Sequence, residues 1–140
     1  MHQYIKHVLL TLCLIGIWAG PAGMEANAQD LPVRDQAYIR NLVSLSGVIG
    51  SAHAVRVVCN GTDDQYWRSY MQQLLGLEAP NRGSLRSSMV EAFNAGFEDD
   101  RRRRRGQCGP NAKSDEEAYA SRGRALSEQL AAHYFPKRRR

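Results

Sequence analysis

Residues 35–58, DQAYIRNLVSLSGVIGSAHAVRVV, decide the fold. Apolar residues recur there at Ile39, Leu42, Leu45, Val48, Ile49, Ala52 and Val55. Steps of three and four place them on one face of an α-helix. Ser46, Gly50 and Ala54 fall four apart, so a second helix can approach the backbone closely. Gly47 and Gly50 each weaken an isolated helix by about 1 kcal/mol relative to alanine, which suits close packing. Neither a G-x-G-x-x-G nor a P-loop pattern surrounds them, so phosphate cradling is not indicated.

Towards the C-terminus the helical pattern repeats three times. After Cys59-Asn60-Gly61, Thr62 with Gln65 resembles a capping box. It opens a helix from Asp63 to Leu77 with a stripe of Tyr66, Trp67, Tyr70, Met71, Leu74 and Leu75. At that spacing the three aromatics are expected in the core, the alternative being a ligand-stacking shelf. Ala79 to Gly83 forms a turn, and Ser84 is placed to cap a third helix carrying Leu85, Met89, Ala92, Phe93, Gly96 and Phe97. Gly106 to Pro110 breaks it. Ser114 with Glu117 is a second capping box, opening a helix to about Tyr134 with Ala118, Tyr119, Arg122, Leu126, Leu130 and Tyr134 inward. Pro136 stops it. With no run of strand-like alternation, the expected fold is all-α, a small bundle of four helices.

Towards the N-terminus, residues 1–28 have the form of a cleavable leader. Met1 to His7 holds Lys6 and no acid, Val8 to Gly20 is an uninterrupted run without charge, and Pro21 precedes Ala26-Asn27-Ala28. This is the basic, apolar and A-x-A order of a secretory signal peptide, and the run is short for a spanning helix. The organisation is then signal peptide 1–28, helical domain 29–136 and basic tail 137–140, the mature chain being periplasmic or secreted. Without a second long apolar run, no membrane-spanning segment is expected in it.

Removing residues 1–28 of the 140 takes Cys13, His2, His7, Lys6 and Glu25 away, so the net charge stays at +5. Cys59 and Cys108 remain, an even pair that in an oxidising compartment is expected to bridge. The bond would tie the end of the first helix to the end of the third and stabilise by about 4 kcal/mol through loop entropy. A metal site from Cys59, Cys108, His53 and His133 is disfavoured: His53 and Cys59 lie six apart on a helix, and no CxxC or HxxxH occurs. No metal and no cofactor are expected.

Glu98-Asp99-Asp100 precedes Arg101, Arg102, Arg103, Arg104 and Arg105. At i,i+4 the acids would pair with Arg102, Arg103 and Arg104 in the favourable order, giving a solvated, self-neutralising helix end. The sharper alternative joins this run to Arg138, Arg139 and Arg140 as a polyanion or membrane-surface site. Export argues against nucleic acid as partner and leaves an envelope protein or an anionic envelope component. Catalytic patterns are sparse: neither G-x-S-x-G nor H-E-x-x-H occurs. A small hydrolase using His53 or His133 with a carboxylate is the remaining catalytic alternative.

Several segments taken in order resemble a small family of exported bacterial proteins of unknown function. They are Leu45 to Cys59 ending in Arg56-Val57-Val58-Cys59; Trp67-Arg68-Ser69-Tyr70-Met71; Leu74 to Pro80; Ala92 to Phe97; Cys108; and a closing helix with Gly123 that ends near Tyr134. The resemblance covers about residues 38–135 and implies a signal peptide, a compact helical domain and the two-cysteine pattern. It brings no catalytic residues, and the five-arginine run and basic tail depart from it. The expected function is binding or a structural role in the cell envelope, without catalysis. Arg56, Trp67, Arg68, Asn94 and Gly96 are the candidates for specific roles; Arg68 has a competing role as partner of Asp64, and Asn94 as a buried polar link.

Mass spectrometry of the exported protein is expected to show a chain starting near Gln29 and two hydrogens lighter than its sequence. Free thiols at both cysteines after non-reducing isolation would refute the bridge.

Overall fold

A computed structural model describes residues 33–135; the expected leader at 1–28 and the tail at 137–140, with Arg138, Arg139 and Arg140, lie outside them. The Asp35 carboxylate accepts a hydrogen bond from the Tyr38 N–H at 2.7 Å and so starts α1, Gln36–Asn60. Gly61, at φ 95°, ends it by donating its N–H to the Val57 carbonyl. Three further helices follow: α2 (Tyr66–Glu78), α3 (Ser84–Arg104) and α4 (Ala112–Tyr134). There is no strand among the described residues, so the fold is an all-α bundle.

α1 is the axis on which the others rest. It is buried at Leu42, Leu45, Val48, Ile49, Ala52 and Val55, and also at Ser46, Gly50, His53 and Ala54 around its sides. By length and composition it is also apolar enough to cross a membrane, a test that a buried core helix passes as well. In the bundle, Met71 and Leu75 of α2, Met89 and Phe93 of α3, and Leu130 of α4 close over it.

The contact with α3 is made by backbone. A Cβ on Gly50 would overlap the Phe93 carbonyl, and one on Gly96 would overlap the Gly47 carbonyl. Ser51 Oγ donates to the Gly96 carbonyl across the same seam at 3.3 Å. Gly96, a candidate for a specific role, therefore has a packing one. α4 meets α1 at Gly123, where a Cβ would stand 3.6 Å from Leu45 Cδ1, an ordinary contact. α2 and α4 both lean on α1 but their backbones do not pack on each other. Cys59 and Cys108 are bonded, tying the end of α1 to the loop after α3.

The helix starts differ from expectation. α2 begins at Tyr66, because Gln65 Nε2 donates to the Thr62 carbonyl and Asp64 takes the Tyr66 N–H, so no capping box forms. Ser84 is the first residue of α3 and makes no side-chain cap. α4 starts at Ala112, and Ser114 Oγ donates back to the Asn111 carbonyl instead of capping. Ala118 and Arg122 face solvent, since the inward side of α4 runs through Ala112, Glu116, Ala120, Gly123 and Leu130.

Gly50→Ala and Gly96→Ala are each expected to lower stability by about 1–3 kcal/mol, since the helices must separate to admit a methyl group. Gly76→Ala, in open space on α2, is expected to raise it by up to about 1 kcal/mol. Urea denaturation of the three variants measures both; equal effects at all three sites would contradict the backbone seam.

Candidate functional site

Because α2 and α4 flank α1 without packing together, a cleft of about 570 Å³ opens between them. Its floor is apolar, from Leu45, Val48, Ile49 and Ala52 of α1. One wall is aromatic. Tyr66 and Tyr70 stay half exposed, at 50% and 49%, with Trp67 between them and ring centroids 5.1 to 5.6 Å apart. The expectation that these aromatics lie in the core is corrected for Tyr66 and Tyr70: α2 reaches the core through Met71 and Leu75, with Trp67 packed against it, and all three side chains line the cleft. The opposite wall is α4, where Ala120, Gly123 and Ser127 keep the space open.

One end of the cleft is closed by charge. Arg56 reaches from α1 to Asp64 through Nε and Nη2, at 2.8 to 2.9 Å, and to Glu116 through Nη1 at 3.3 Å. Trp67 Nε1 donates to the same Glu116 oxygen at 2.8 Å, and the Arg56 guanidinium lies over the Tyr66 ring at 4.8 Å. The Arg56 hydrogen bond holds the Asp64 carboxyl down to about 2, from an ordinary 3.8. Arg56 and Trp67, two of the candidates, thus meet in one network. Arg68 does not take part, because Asp64 is held by Arg56 and Asn60.

Arg68 and Asn94 meet elsewhere. With His53, Phe93, Phe97 and Glu98 they line a second cleft of about 210 Å³. Asn94 is exposed, so it is no buried polar link. His53 is 4% exposed and lies between the Phe93 and Phe97 rings, its Nδ1 without a hydrogen-bond partner. Burial, and then the nearby Arg68 charge, lower its pKa and favour the neutral ring. His133 packs on Tyr38 at 4.9 Å with its Nε2 unpartnered. No group of three or more His, Cys, Asp or Glu side chains that could hold a metal ion gathers among the described residues.

The arginine run divides. Asp100, expected on a solvated face, is 2% exposed. It accepts from Arg103 at 2.8 Å, Arg104 at 2.6 Å and the Tyr119 hydroxyl at 2.7 Å. Burial alone would push its carboxyl up, but these donors outweigh it and hold it below the ordinary value. Arg104, 10% exposed, also reaches Asp115 at 2.6 Å, fastening α3 to α4. Arg101 pairs with Glu98 and Arg102 with Asp99, both at i,i+3; of the three expected i,i+4 pairs, only Asp100–Arg104 forms. Arg105, at φ 53°, caps α3 through its backbone and is exposed. Helix geometry named the acid and arginine neighbours; the arrival of α4 against Asp100 had no local signal.

Residues 37–134 match the family described as Protein of unknown function (DUF2385). The match spans most of the chain, and the chain belongs to that family. No curated protein and no solved structure matches it.

The depressed Asp64 value has a stability consequence. The Arg56 pair contributes fully above the ordinary carboxyl value of 3.8 and is lost as the pH falls towards about 2. Thermal melts between pH 5 and pH 2 are therefore expected to show a smaller loss of Tm for Asp64→Asn than for the parent. An identical pH dependence would contradict the ion pair.

Proposed function

We propose that this member of the family is an exported helical module that acts by binding in the cell envelope, with the cleft between α2 and α4 as its ligand site. The carrying observation is the aromatic wall. Tyr66 and Tyr70 leave half their surface in water beside an apolar floor, where burial would have been favourable at about 25 cal/mol per Å². Aromatic side chains held at the mouth of a concave apolar site are suited to stacking on a ligand. The leader-like residues 1–28 support export, and the Cys59–Cys108 bond suits the oxidising compartment it leads to.

The arginine run is the second proposal. Arg101, Arg102 and Arg105 line one groove beside Val57 and Val58, and the first two keep more than half of their side chains exposed despite their acid partners. Arg104 is withdrawn from it, being enclosed between two carboxylates. Hydrolysis by His53 or His133 would need a carboxylate to orient the ring; Glu98 shares the smaller cleft with His53, but neither histidine hydrogen-bonds a carboxylate among the described residues.

Trp18 and Trp67 are the two tryptophans, so in a chain processed after Ala28 the indole emission comes from the cleft alone. Small-molecule fragments screened against that form are expected to shift Trp67 emission, and Ser127→Phe, on an exposed position facing the cleft, is expected to block them. Fragments that leave Trp67 unchanged would oppose the cleft. Anionic vesicles whose binding falls steeply with salt and is lost when Arg101, Arg102 and Arg105 become glutamine would favour the second proposal.

A further inference from the structure

Two charged side chains of the α2–α4 cleft, Glu116 and Arg124, keep hydrogen-bonding capacity that no other described residue takes up. Arg56 donates with Nε, Nη1 and Nη2 to two carboxylates, so one guanidinium faces two anions and the cluster carries a net charge of −1. Both donors that reach Glu116, Trp67 Nε1 and Arg56 Nη1, use its Oε1. The other oxygen has no protein donor among the described residues. Along the same wall Arg124 is exposed, lines the cleft, and has no acidic partner among the described residues.

Glu116 and Arg124 stand eight residues apart on α4, about 12 Å along the helix axis. Between them the wall carries Tyr119 and the small side chains Ala120 and Gly123, and the aromatic wall of α2 stands opposite. A ligand lying along this cleft would meet a negative group at one end, a positive group at the other, and aromatic and apolar surface in the middle. An extended peptide spans about 3.3–3.6 Å per residue, so three or four residues match the axial spacing of the two positions. A neutral sugar could use the aromatic wall, and an acyl chain the apolar floor, but each leaves both charges without a counterpart.

We propose that the cleft binds a peptide of three or four residues with free termini, its ammonium on Glu116 and its carboxylate on Arg124, with an aromatic or apolar side chain against Trp67 and Tyr70. The inference rests on the cleft being the ligand site. Trp67 supplies the stacking surface, and its indole N–H occupies Oε1 of Glu116, so that Oε2 is the oxygen without a protein donor among the described residues. Arg56 acts as a positioning residue that holds Glu116 without spending the second oxygen.

Isothermal titration calorimetry of the processed protein with Ala-Phe-Ala tests this, against the same tripeptide N-acetylated or C-amidated. Each cap is expected to weaken binding by about tenfold or more, the scale of one charge-assisted hydrogen bond. Glu116→Gln is expected to remove the sensitivity to acetylation only, and Arg124→Gln the sensitivity to amidation only. Equal affinity for free and capped peptides, or binding unmoved by both substitutions, would overturn the proposal. Should Glu116→Gln disturb the fold by circular dichroism, the exposed Arg124→Gln with the amidated peptide still decides it. If Ala-Phe-Ala does not bind while a fragment blocked by Ser127→Phe shifts Trp67 emission, the peptide inference fails and the ligand site stands. If neither binds, both fail.

Discussion

The backbone contact between α1 and α3 is the constraint on which the rest of the bundle depends. Gly50 lies on the Phe93 carbonyl and Gly96 on the Gly47 carbonyl, at a separation that admits no side chain between the helices. Drawing α3 in this closely buries Met89 and Phe93 against α1. It also carries the end of α3 to where Cys108 bonds Cys59 and where Asp100 meets α4. With one side of α1 occupied so tightly, α2 and α4 take the remaining surface without their backbones packing together, and their separation is the cleft.

Side-chain charge then does what packing does not. α4 rests on α1 through Gly123 and Leu130 and through the Glu116–Arg56 contact, and its links to the other two helices include polar ones: Asp100 with Tyr119, Arg104 with Asp115, and Glu116 with Trp67. Removing one member of such a buried network leaves its partner charged and unpaired, which is more damaging than the pair is stabilising. The same network fixes the cleft. Glu116 is held from two directions on a single oxygen, so its position is set before any ligand arrives, and little ordering remains to oppose binding.

Much of this was readable locally. The helical faces of α1 and α3 follow from residues spaced three and four apart, and the close approach from glycine and serine at four-residue intervals. The disulfide followed from an even pair of cysteines. The capping boxes misled, because Gln65 and Ser114 each donate to a nearer backbone carbonyl, that of Thr62 and that of Asn111. The aromatic stripe of α2 misled for another reason: periodicity identifies a common face and says nothing of what covers it. Arg68 and Asp64 are neighbours on a helical wheel, but Arg56, far off in local structure, reached the carboxylate first.

By itself the sequence determined the helices, their order, the core of α1 and the pair of cysteines, since each depends on spacing along the chain. Tertiary structure decided which arginine is buried, which carboxylate oxygen has no protein donor, and that Tyr66 and Tyr70 line a cleft instead of a core. Those outcomes depend on residues from separate helices arriving at one place, and no periodicity along a single helix encodes that meeting.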